Sequence, residues 1–169
     1  MLPAGKICAV YDAPIKQHAV VMTTVEATVD QCFAVGVDIE SYPQWVDSIT
    51  SVEVEERDGE GRPLRVRFHA TALGRSASYV LAYDYSHAPS KLSWTLVDGD
   101  VTSRLEGSYI FDEAPPQEGF EGPATDVTYD LIVDLKIPLP GYVKRRAEDK
   151  IVSAALERFK SRVLEVTSE

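Results

Sequence analysis

Cysteine is scarce in this sequence, with only Cys8 and Cys32 among 169 residues. Neither a CxxC spacing nor a Cys/His arrangement occurs, so the sequence predicts no metal site, and we predict no cofactor. Cys32 falls on the apolar side of a predicted helix, where a reduced and buried thiol is expected. So few cysteines are typical of a reducing compartment, and we predict a cytoplasmic location.

The sequence also lacks an apolar run of about 20 residues, the length that a membrane-spanning helix needs. Near the first residue, Pro3, Asp12 and Pro14 interrupt an apolar stretch that is too short for a secretory signal. We therefore predict no stable membrane insertion. Residues 1–17 are predicted to form an irregular N-terminal arm, and residues 18–169 a single domain.

Basic residues are few as well. The sequence has 17 lysines and arginines against 27 aspartates and glutamates, which gives a formal net charge of −10. A surface of this sign repels phosphate backbones, so the sequence predicts no nucleic-acid partner. Anionic membrane surfaces are disfavoured for the same reason.

The sequence does contain a series of short alternating segments, followed by one long helical segment. Residues 18–27 are predicted as a strand, and Thr28 with Gln31 forms a capping-box pattern that starts a helix at Val29. Pro43 is predicted to end this helix, with a second short helical turn over residues 44–49. Six further strands are predicted over residues 50–57, 64–73, 76–86, 91–97, 103–111 and 125–136.

Residues 142–167 repeat apolar side chains near a 3.6-residue period and predict one helix about 38 Å long. Consecutive strands with short turns predict an antiparallel meander that is apolar on one face, and the long helix is its natural cover. The predicted fold class is therefore α+β. It consists of a seven-stranded curved sheet around the C-terminal helix, with two short helices after the first strand. A twisted sheet cannot close fully against one helix, which favours an apolar cavity between them.

Three features of the sequence resemble the START-like (SRPBCC) helix-grip superfamily, which also includes Bet v1-like proteins. The first is the Asp-x-Glu-x-Tyr-Pro-x-Trp break that runs from Asp38 to Trp45. The second is the strand-turn-strand sequence LVDGDVTSRLEGSYIF at residues 96–111, and the third is the C-terminal helix. The nearest groups are the bacterial polyketide cyclase/dehydrase-like and coenzyme Q-binding-like proteins. The resemblance covers residues 18–167 and implies a hydrophobic cavity for a lipid, isoprenoid quinone or polyketide.

We predict that the ligand contacts apolar and tyrosine side chains between the sheet and the long helix. Trp45, where the short helices break, either gates the cavity or fills the core at that point. Several tyrosines in one apolar surface bring hydroxyl groups that a ligand with a few oxygen atoms would satisfy. The predicted ligand-binding residues are Trp45, Phe68, Tyr79, Tyr83, Trp94, Tyr109, Tyr129, Ile151 and Ala155.

The sequence assigns no catalytic residue. His69 falls on the polar face of its strand, His87 in a turn and His18 at the start of the first strand, so none is placed in the cavity. No Ser/His/Asp or Cys/His set follows from the spacing. We therefore predict a carrier or sensor of a small hydrophobic molecule, rather than an enzyme. The second hypothesis is a polyketide aromatase/cyclase or dehydratase that works by positioning and tyrosine hydroxyls.

A third hypothesis is a protein-partner module, like the coenzyme Q-type or toxin–antitoxin-associated relatives. Its contact surface would be the acidic loop predicted at residues 112–124. The only basic cluster, Lys144 to Arg146, either attracts an anionic ligand group or pairs with Glu148 and Asp149 on a solvated helix face. A homodimer is compatible with this sequence.

Overall fold

The computed structural model describes the backbone of residues 17–72, 74–136 and 141–168, and the side chains of these ranges except Gln17, Ala72 and residues 141–151. The predictions for the N-terminal arm, for Ile151 and for the pairs made by Lys144 and Arg145 lie outside the described residues or side chains. Within these ranges, seven strands and three α-helices follow in the predicted order. The strands are β1 (Gln17–Val25), β2 (Ile49–Arg57), β3 (Pro63–Ala72), β4 (Arg75–Asp84), β5 (Lys91–Gly99), β6 (Thr102–Ala114) and β7 (Ala124–Leu135).

The strands form one curved antiparallel sheet in the order β1-β7-β6-β5-β4-β3-β2, so β1 and β2 are its edges. Alternation places one side of each strand in the core. On β3, Val66 and Phe68 are buried while Arg65 and His69 are more exposed, as predicted. Register shifts occur in the β2–β3, β4–β5 and β6–β7 pairs. Because such bulges bend a strand and increase its twist, they favour the curvature of the sheet.

The first helix, α1 (Val29–Val37), begins with the predicted capping box. The Thr28 hydroxyl accepts a hydrogen bond from the backbone N–H of Gln31, and the Gln31 side chain accepts one from the backbone N–H of Thr28. These two bonds satisfy N–H groups that a helix start leaves unpaired. Cys32 on this helix is fully buried, and burial raises the pKa of its thiol to about 11. The thiol is therefore protonated at neutral pH.

The prediction that Pro43 ends the first helix is wrong. This helix ends at Val37, a 3-10 turn follows over Ile39–Ser41, and Pro43 lies in the first turn of α2 (Tyr42–Trp45). Proline is tolerated there because the N–H that it lacks has no partner within the helix. The second helix therefore starts before residue 44, where we predicted it. Its Tyr42 hydroxyl donates a 2.5 Å hydrogen bond to the carbonyl of Gly36 and ties α2 to the end of α1.

The acidic loop between the last two strands is shorter than predicted. Pairing between β6 and β7 continues through Asp112 with Asp126 to Ala114 with Ala124, so the connecting loop is residues 115–123.

The C-terminal helix α3 (Gly141–Thr167) lies against the concave face of the sheet, as predicted. Its buried stripe consists of Val152, Leu156, Phe159 and Val163, at the spacing of one helix face. At about 1.5 Å per residue, 27 residues span roughly 40 Å, which is enough to cross the sheet. The stripe joins α3 to the core formed by the strands and α1.

Candidate ligand-binding site

Trp94 lies at the centre of an aromatic surface on the concave face of the sheet. Its ring contacts Tyr83 on β4, Tyr109 on β6 and Tyr129 on β7, at centroid distances of 5.9, 5.4 and 6.0 Å. The residue opposite Trp94 on β6 is Gly107, where an added Cβ atom would come within 2.6 Å of the indole ring. The absence of a side chain at Gly107 therefore lets the indole lie across β6 and reach Tyr129 on β7.

The concave face is more deeply buried at one end of the sheet, which we call the closed end, than at the other. On β5, Leu92 is fully buried, Trp94 is 7% exposed and Leu96 is half-buried. Exposure rises in the same direction on β6, from buried Phe111 to half-buried Leu105. We call the half-buried set the open half of the concave face. It comprises Ala19, Val21, Tyr79, Leu96, Leu105, Tyr129 and Val133.

Aromatic packing against α3 fills the closed end. Phe159 is fully buried and stacks on Tyr109 and Phe111, with ring centroids 4.8 and 6.0 Å away. Trp45 packs edge-on against the same Phe159 ring at 6.0 Å. Since this end is occupied by side chains, a ligand on the concave face could contact only the residues of the open half.

Four tyrosine hydroxyls belong to this concave surface, those of Tyr79, Tyr83, Tyr109 and Tyr129. Among the described residues none of these hydroxyls has a hydrogen-bond partner, whereas the buried Tyr42 and Tyr85 hydroxyls donate to backbone carbonyls. A phenol placed in an apolar surface normally finds a partner, either in the protein, in water or in a ligand. These four groups can therefore donate hydrogen bonds to oxygen atoms of a bound molecule.

Burial keeps the concave tyrosines protonated at neutral pH. It raises the pKa of Tyr79 to about 12 and raises the pKa values of Tyr83, Tyr109 and Tyr129 above their ordinary range. Loss of water around a phenolate disfavours the charged form, and at Tyr83, Tyr109 and Tyr129 the neighbouring tyrosines add to this effect. These hydroxyls are therefore hydrogen-bond donors rather than bases, and they suit a carbonyl or ether oxygen.

Within the described residues, no group of three or more His, Cys, Asp or Glu side chains is arranged to hold a metal ion. The histidines lie away from the concave surface: His69 and His87 are on strand β3 and in the turn after β4, and His18 is hydrogen-bonded to Asp130 on the outer face. In the ranges 17–72, 74–136 and 141–168, every helix falls short of the apolar length that crossing a bilayer requires.

The sequence from residue 25 to residue 160 matches the family described as "Polyketide cyclase / dehydrase and lipid transport". The chain belongs to this family. Its description joins two roles, and both involve a hydrophobic small molecule, in agreement with the apolar concave surface. A comparison with curated proteins finds no match.

Solved structures share the fold of this family member. A START superfamily protein from Mycobacterium smegmatis has a TM-score of 0.77 at 22% identity, with 88% of this chain and 98% of that chain covered. A protein from Thermus thermophilus gives 0.71 at 23% identity, with 89% and 99% covered. The Zhui aromatase/cyclase from a Streptomyces species gives 0.69 at 14% identity, with 88% and 94% covered. At these identities the similarity establishes a START-like helix-grip fold.

The structure brings together six of the predicted ligand-binding residues of this family member. Phe68 stacks on Tyr79 with ring centroids 5.4 Å apart, and Tyr79 belongs to the open half. Tyr83, Trp94 and Tyr109 are buried behind it, and Tyr129 connects the two regions. The whole set is Phe68, Tyr79, Tyr83, Trp94, Tyr109 and Tyr129.

Trp45 has two environments. One side packs on Tyr42 and Phe159, and the indole is only 7% exposed. The other side borders a surface groove of about 440 Å³ between α1 and the end of α3, where Arg162 is a neighbour. The contacts with Tyr42 and Phe159 favour the core-filling interpretation of Trp45, and its role towards a ligand stays a prediction.

Two further predicted residues lie on α3. Ala155 is half-buried and is not among the apolar residues that pack against the core, whereas Val152 and Leu156 on either side of it are buried. The side chain of Ile151 lies outside those that the structure describes. Their roles as ligand contacts stay predictions.

Some residues of the open half are absent from the predicted set. Leu105 and Val133 face each other across β6 and β7. Their inward orientation follows from alternation with Tyr109 and Tyr129, so the sequence did carry a signal for them. No sequence pattern indicated a role for Gly107, because that role depends on the position of an indole ring on the neighbouring strand.

Proposed function

We propose that this protein binds and carries a neutral hydrophobic small molecule on the open half of the concave face, beneath α3. The exposure gradient along β5 and β6 is the observation that carries this proposal. The ligand class is a lipid, an isoprenoid quinone or a polyketide-like molecule with one or more acceptor oxygens. Apolar contacts would supply most of the affinity, and tyrosine hydroxyls would orient the oxygens.

The preference for a neutral ligand rests on the side chains of the site. The described members of the open half are aliphatic residues and two tyrosines, without a charged group. A ligand carboxylate or ammonium placed there would lose its hydration without gaining an ion pair. Carbonyl, ether and ester oxygens meet the protonated tyrosines at a lower desolvation cost.

Native mass spectrometry of freshly purified protein, with organic extraction of the bound fraction, tests this proposal. We expect an adduct that extracts into organic solvent and has the composition of a neutral oxygen-containing lipid, quinone or polyketide. A purified protein without an adduct, which also fails to bind added short-chain ubiquinone, diacylglycerol or an aromatic polyketide, would contradict the proposal.

The hydroxyl groups give a second, quantitative prediction. Tyr79→Phe and Tyr129→Phe are each expected to weaken ubiquinone binding by about 0.5–1.5 kcal/mol if the hydroxyl donates to a quinone oxygen. This equals roughly a twofold to tenfold increase in Kd, measured by calorimetry. Tyr85→Phe is the matched control, because its hydroxyl donates to the carbonyl of Pro63 outside the open half. This control should lower stability and leave Kd unchanged. An unchanged Kd in Tyr79→Phe and Tyr129→Phe, with a raised Kd in Tyr85→Phe, would contradict hydrogen bonding of the ligand by these tyrosines.

A second candidate function is cyclisation or dehydration of a polyketide, which the family description favours. The specific observation that supports it is the set of four protonated tyrosines on the concave face, three of which contact Trp94. Such donors can stabilise a developing enolate oxygen and fold a flexible chain by positioning it. Turnover of a reactive polyketide that falls in Tyr→Phe variants while binding persists would favour this function over carriage.

The remaining predictions concern partners and location. The loop at residues 115–123, which replaces the longer predicted acidic loop, is our candidate contact surface for a protein partner. Deletion of this loop without a change in the partners recovered would argue against that role. We also propose a cytoplasmic location, because cysteines are few, and no nucleic-acid partner, because the net charge is −10.

A further inference from the structure

The part of the open half that lies on β4, β5 and β6 is only partly covered by the helices. Among the strands, the backbone of α3 makes its closest approach to β1, with β7 next, so the helix covers that side of the concave face. Tyr79, Leu96 and Leu105 lie on strands farther from the backbone of α3 and are half-buried. Partly exposed apolar surface of this kind marks a place where another group binds.

Residues 1–16 precede β1 and join the sheet at the level of this surface. The first residue of β1, Gln17, pairs with Val133 on β7, and Val133 pairs with Leu105 on β6, so the three lie in one row across the sheet. Leu96 is on the next strand, β5, and three strand spacings, about 14 Å, separate β1 from β5. Six extended residues span about 20 Å, so the segment from residue 11 backwards can reach all of this surface.

The composition of residues 1–16, MLPAGKICAVYDAPIK, suits this surface. The segment contains five consecutive apolar residues, from Ile7 to Tyr11, which match the aliphatic and aromatic side chains of the open half. With Lys6, Lys16 and Asp12 its formal charge is +1, whereas the whole chain carries −10, so the rest of the chain carries −11. Charges of opposite sign therefore favour the segment staying close to the domain.

The tyrosine hydroxyls of the open half suit a peptide as well as a ligand. Tyr79 and Tyr129 belong to this surface, and their hydroxyls are hydrogen-bond donors. A backbone carbonyl is a neutral acceptor oxygen, like the ketone or ester oxygen of the proposed ligand. Hydrogen bonds from the two tyrosines would satisfy carbonyl groups that lose water when a segment lies on an apolar surface. A segment and a ligand would therefore compete for the same groups.

We propose that residues 7–11 occupy the open half in the absence of a ligand, against Tyr79, Leu96 and Leu105, and that a ligand displaces them. The displacement rests on the proposed function, because it requires a ligand that binds to this surface. A tethered segment reaches an effective concentration in the millimolar range, so contacts too weak to hold a free peptide are sufficient. If the segment occupies the site in about nine of ten molecules, the apparent Kd of the ligand rises about tenfold.

Cross-linking between the native Cys8 and an introduced cysteine tests the location of the segment without a ligand. The other cysteine, Cys32, is fully buried and does not compete for the reagent. Leu96→Cys places a thiol on the open half, and Val97→Cys is the matched control, since Val97 follows on β5, is 46% exposed and lies outside the core. With a short bismaleimide we expect Cys8 to link to residue 96 about tenfold faster than to residue 97, relative to the reactivity of each thiol with a monofunctional maleimide.

Intact mass of the products distinguishes the possible occupants. The expected product has the mass of one chain and disappears in Cys8→Ser. A product with the mass of two chains would overturn the proposal and assign the surface to residues 1–16 of a second copy. Equal linking through residues 96 and 97 would overturn the location, and so would the absence of a link in a Leu96→Cys protein whose two thiols both react with a monofunctional maleimide.

Binding of Nile red to full-length variants tests the displacement. In a chain with Ile7→Ser, Val10→Ser and Tyr11→Ser the apparent Kd should fall about tenfold, because the segment no longer competes. Pro3→Ser lies outside the apolar run and should bind the dye like the wild type. An equal Kd in all three proteins would overturn the displacement while the proposed function stands. Absence of dye binding in all three, with the Cys8 link present, would contradict the proposed function and make the segment a fixed part of the fold.

Discussion

Phe159→Ala is expected to lower the free energy of unfolding by about 3–5 kcal/mol, the usual cost of removing a fully buried phenyl ring. The ring joins three elements, since it stacks on Tyr109 and Phe111 of the sheet and contacts Trp45 of α2. Neighbouring aromatic rings are rigid and cannot collapse into the space, so the loss should lie towards the upper end of this range. Urea unfolding followed by circular dichroism measures it.

Leu164→Ala provides the control on the same helix. Leu164 is 39% exposed and lies outside the core, so the expected loss is below about 1 kcal/mol. Comparable losses in the two variants would mean that α3 is not fixed to the sheet through Phe159. The closed end of the concave face would then lack its main anchor.

Gly107→Ala is expected to cost about 1–3 kcal/mol, although it adds a single methyl group in a strand. Alanine normally suits a strand better than glycine, so the sign of this prediction depends on the indole of Trp94. The added Cβ would lie 2.6 Å from the nearest atoms of that ring, and the ring is held by Tyr83, Tyr109 and Tyr129. We also expect a shift in tryptophan fluorescence and weaker ubiquinone binding, because Trp94 must move towards the open half.

Gly59→Ala is the matched control for this substitution. Gly59 has no atom within 4 Å of an added Cβ, and it lies in the turn between β2 and β3. Its variant should unfold like the wild type and keep the same fluorescence. A Gly107→Ala protein as stable as the wild type, with unchanged fluorescence, would show that Trp94 does not lie across β6.

The strand pattern predicted the fold well because alternation and period are local properties. Each of the seven strands begins and ends within a few residues of its predicted bounds, and the Thr28 capping box starts α1 as expected. Pro43 was misinterpreted because a proline is compatible both with the residue after a helix and with its first turn. In the structure the Tyr42 hydroxyl donates to the carbonyl of Gly36 and connects α2 to α1, a contact that no sequence pattern indicated.

The phase of the long helix was less accessible from the sequence. Apolar residues occur on both sides of its stripe, at Ala154 and Ala155 as well as at Leu156 and Phe159. A 3.6-residue period alone does not distinguish Val152, which is buried, from Ala154, which is exposed. Packing against the curved sheet decides the phase, and this is a tertiary property.

In the candidate site, too, the local pattern was predictable from the sequence and the tertiary arrangement was not. Alternation indicated which side chains share the concave face, including the tyrosines around Trp94. It could not indicate which end of that face stays open, since this depends on sheet curvature and on the position of α3. The partial exposure that assigns Leu105 and Val133 to the open half is therefore evident only in the structure.

The most direct test of the account is a substitution that blocks the open half of the concave face. Leu105→Trp places a large ring there, and Leu164→Trp places the same ring on the exposed side of α3. Binding of Nile red, a neutral apolar dye with a carbonyl oxygen, is followed by fluorescence in both variants and in the wild type. We predict that Leu105→Trp abolishes dye binding while Leu164→Trp retains it, with both variants folded by circular dichroism. Undiminished dye binding in folded Leu105→Trp would contradict the assignment of the ligand site to this surface.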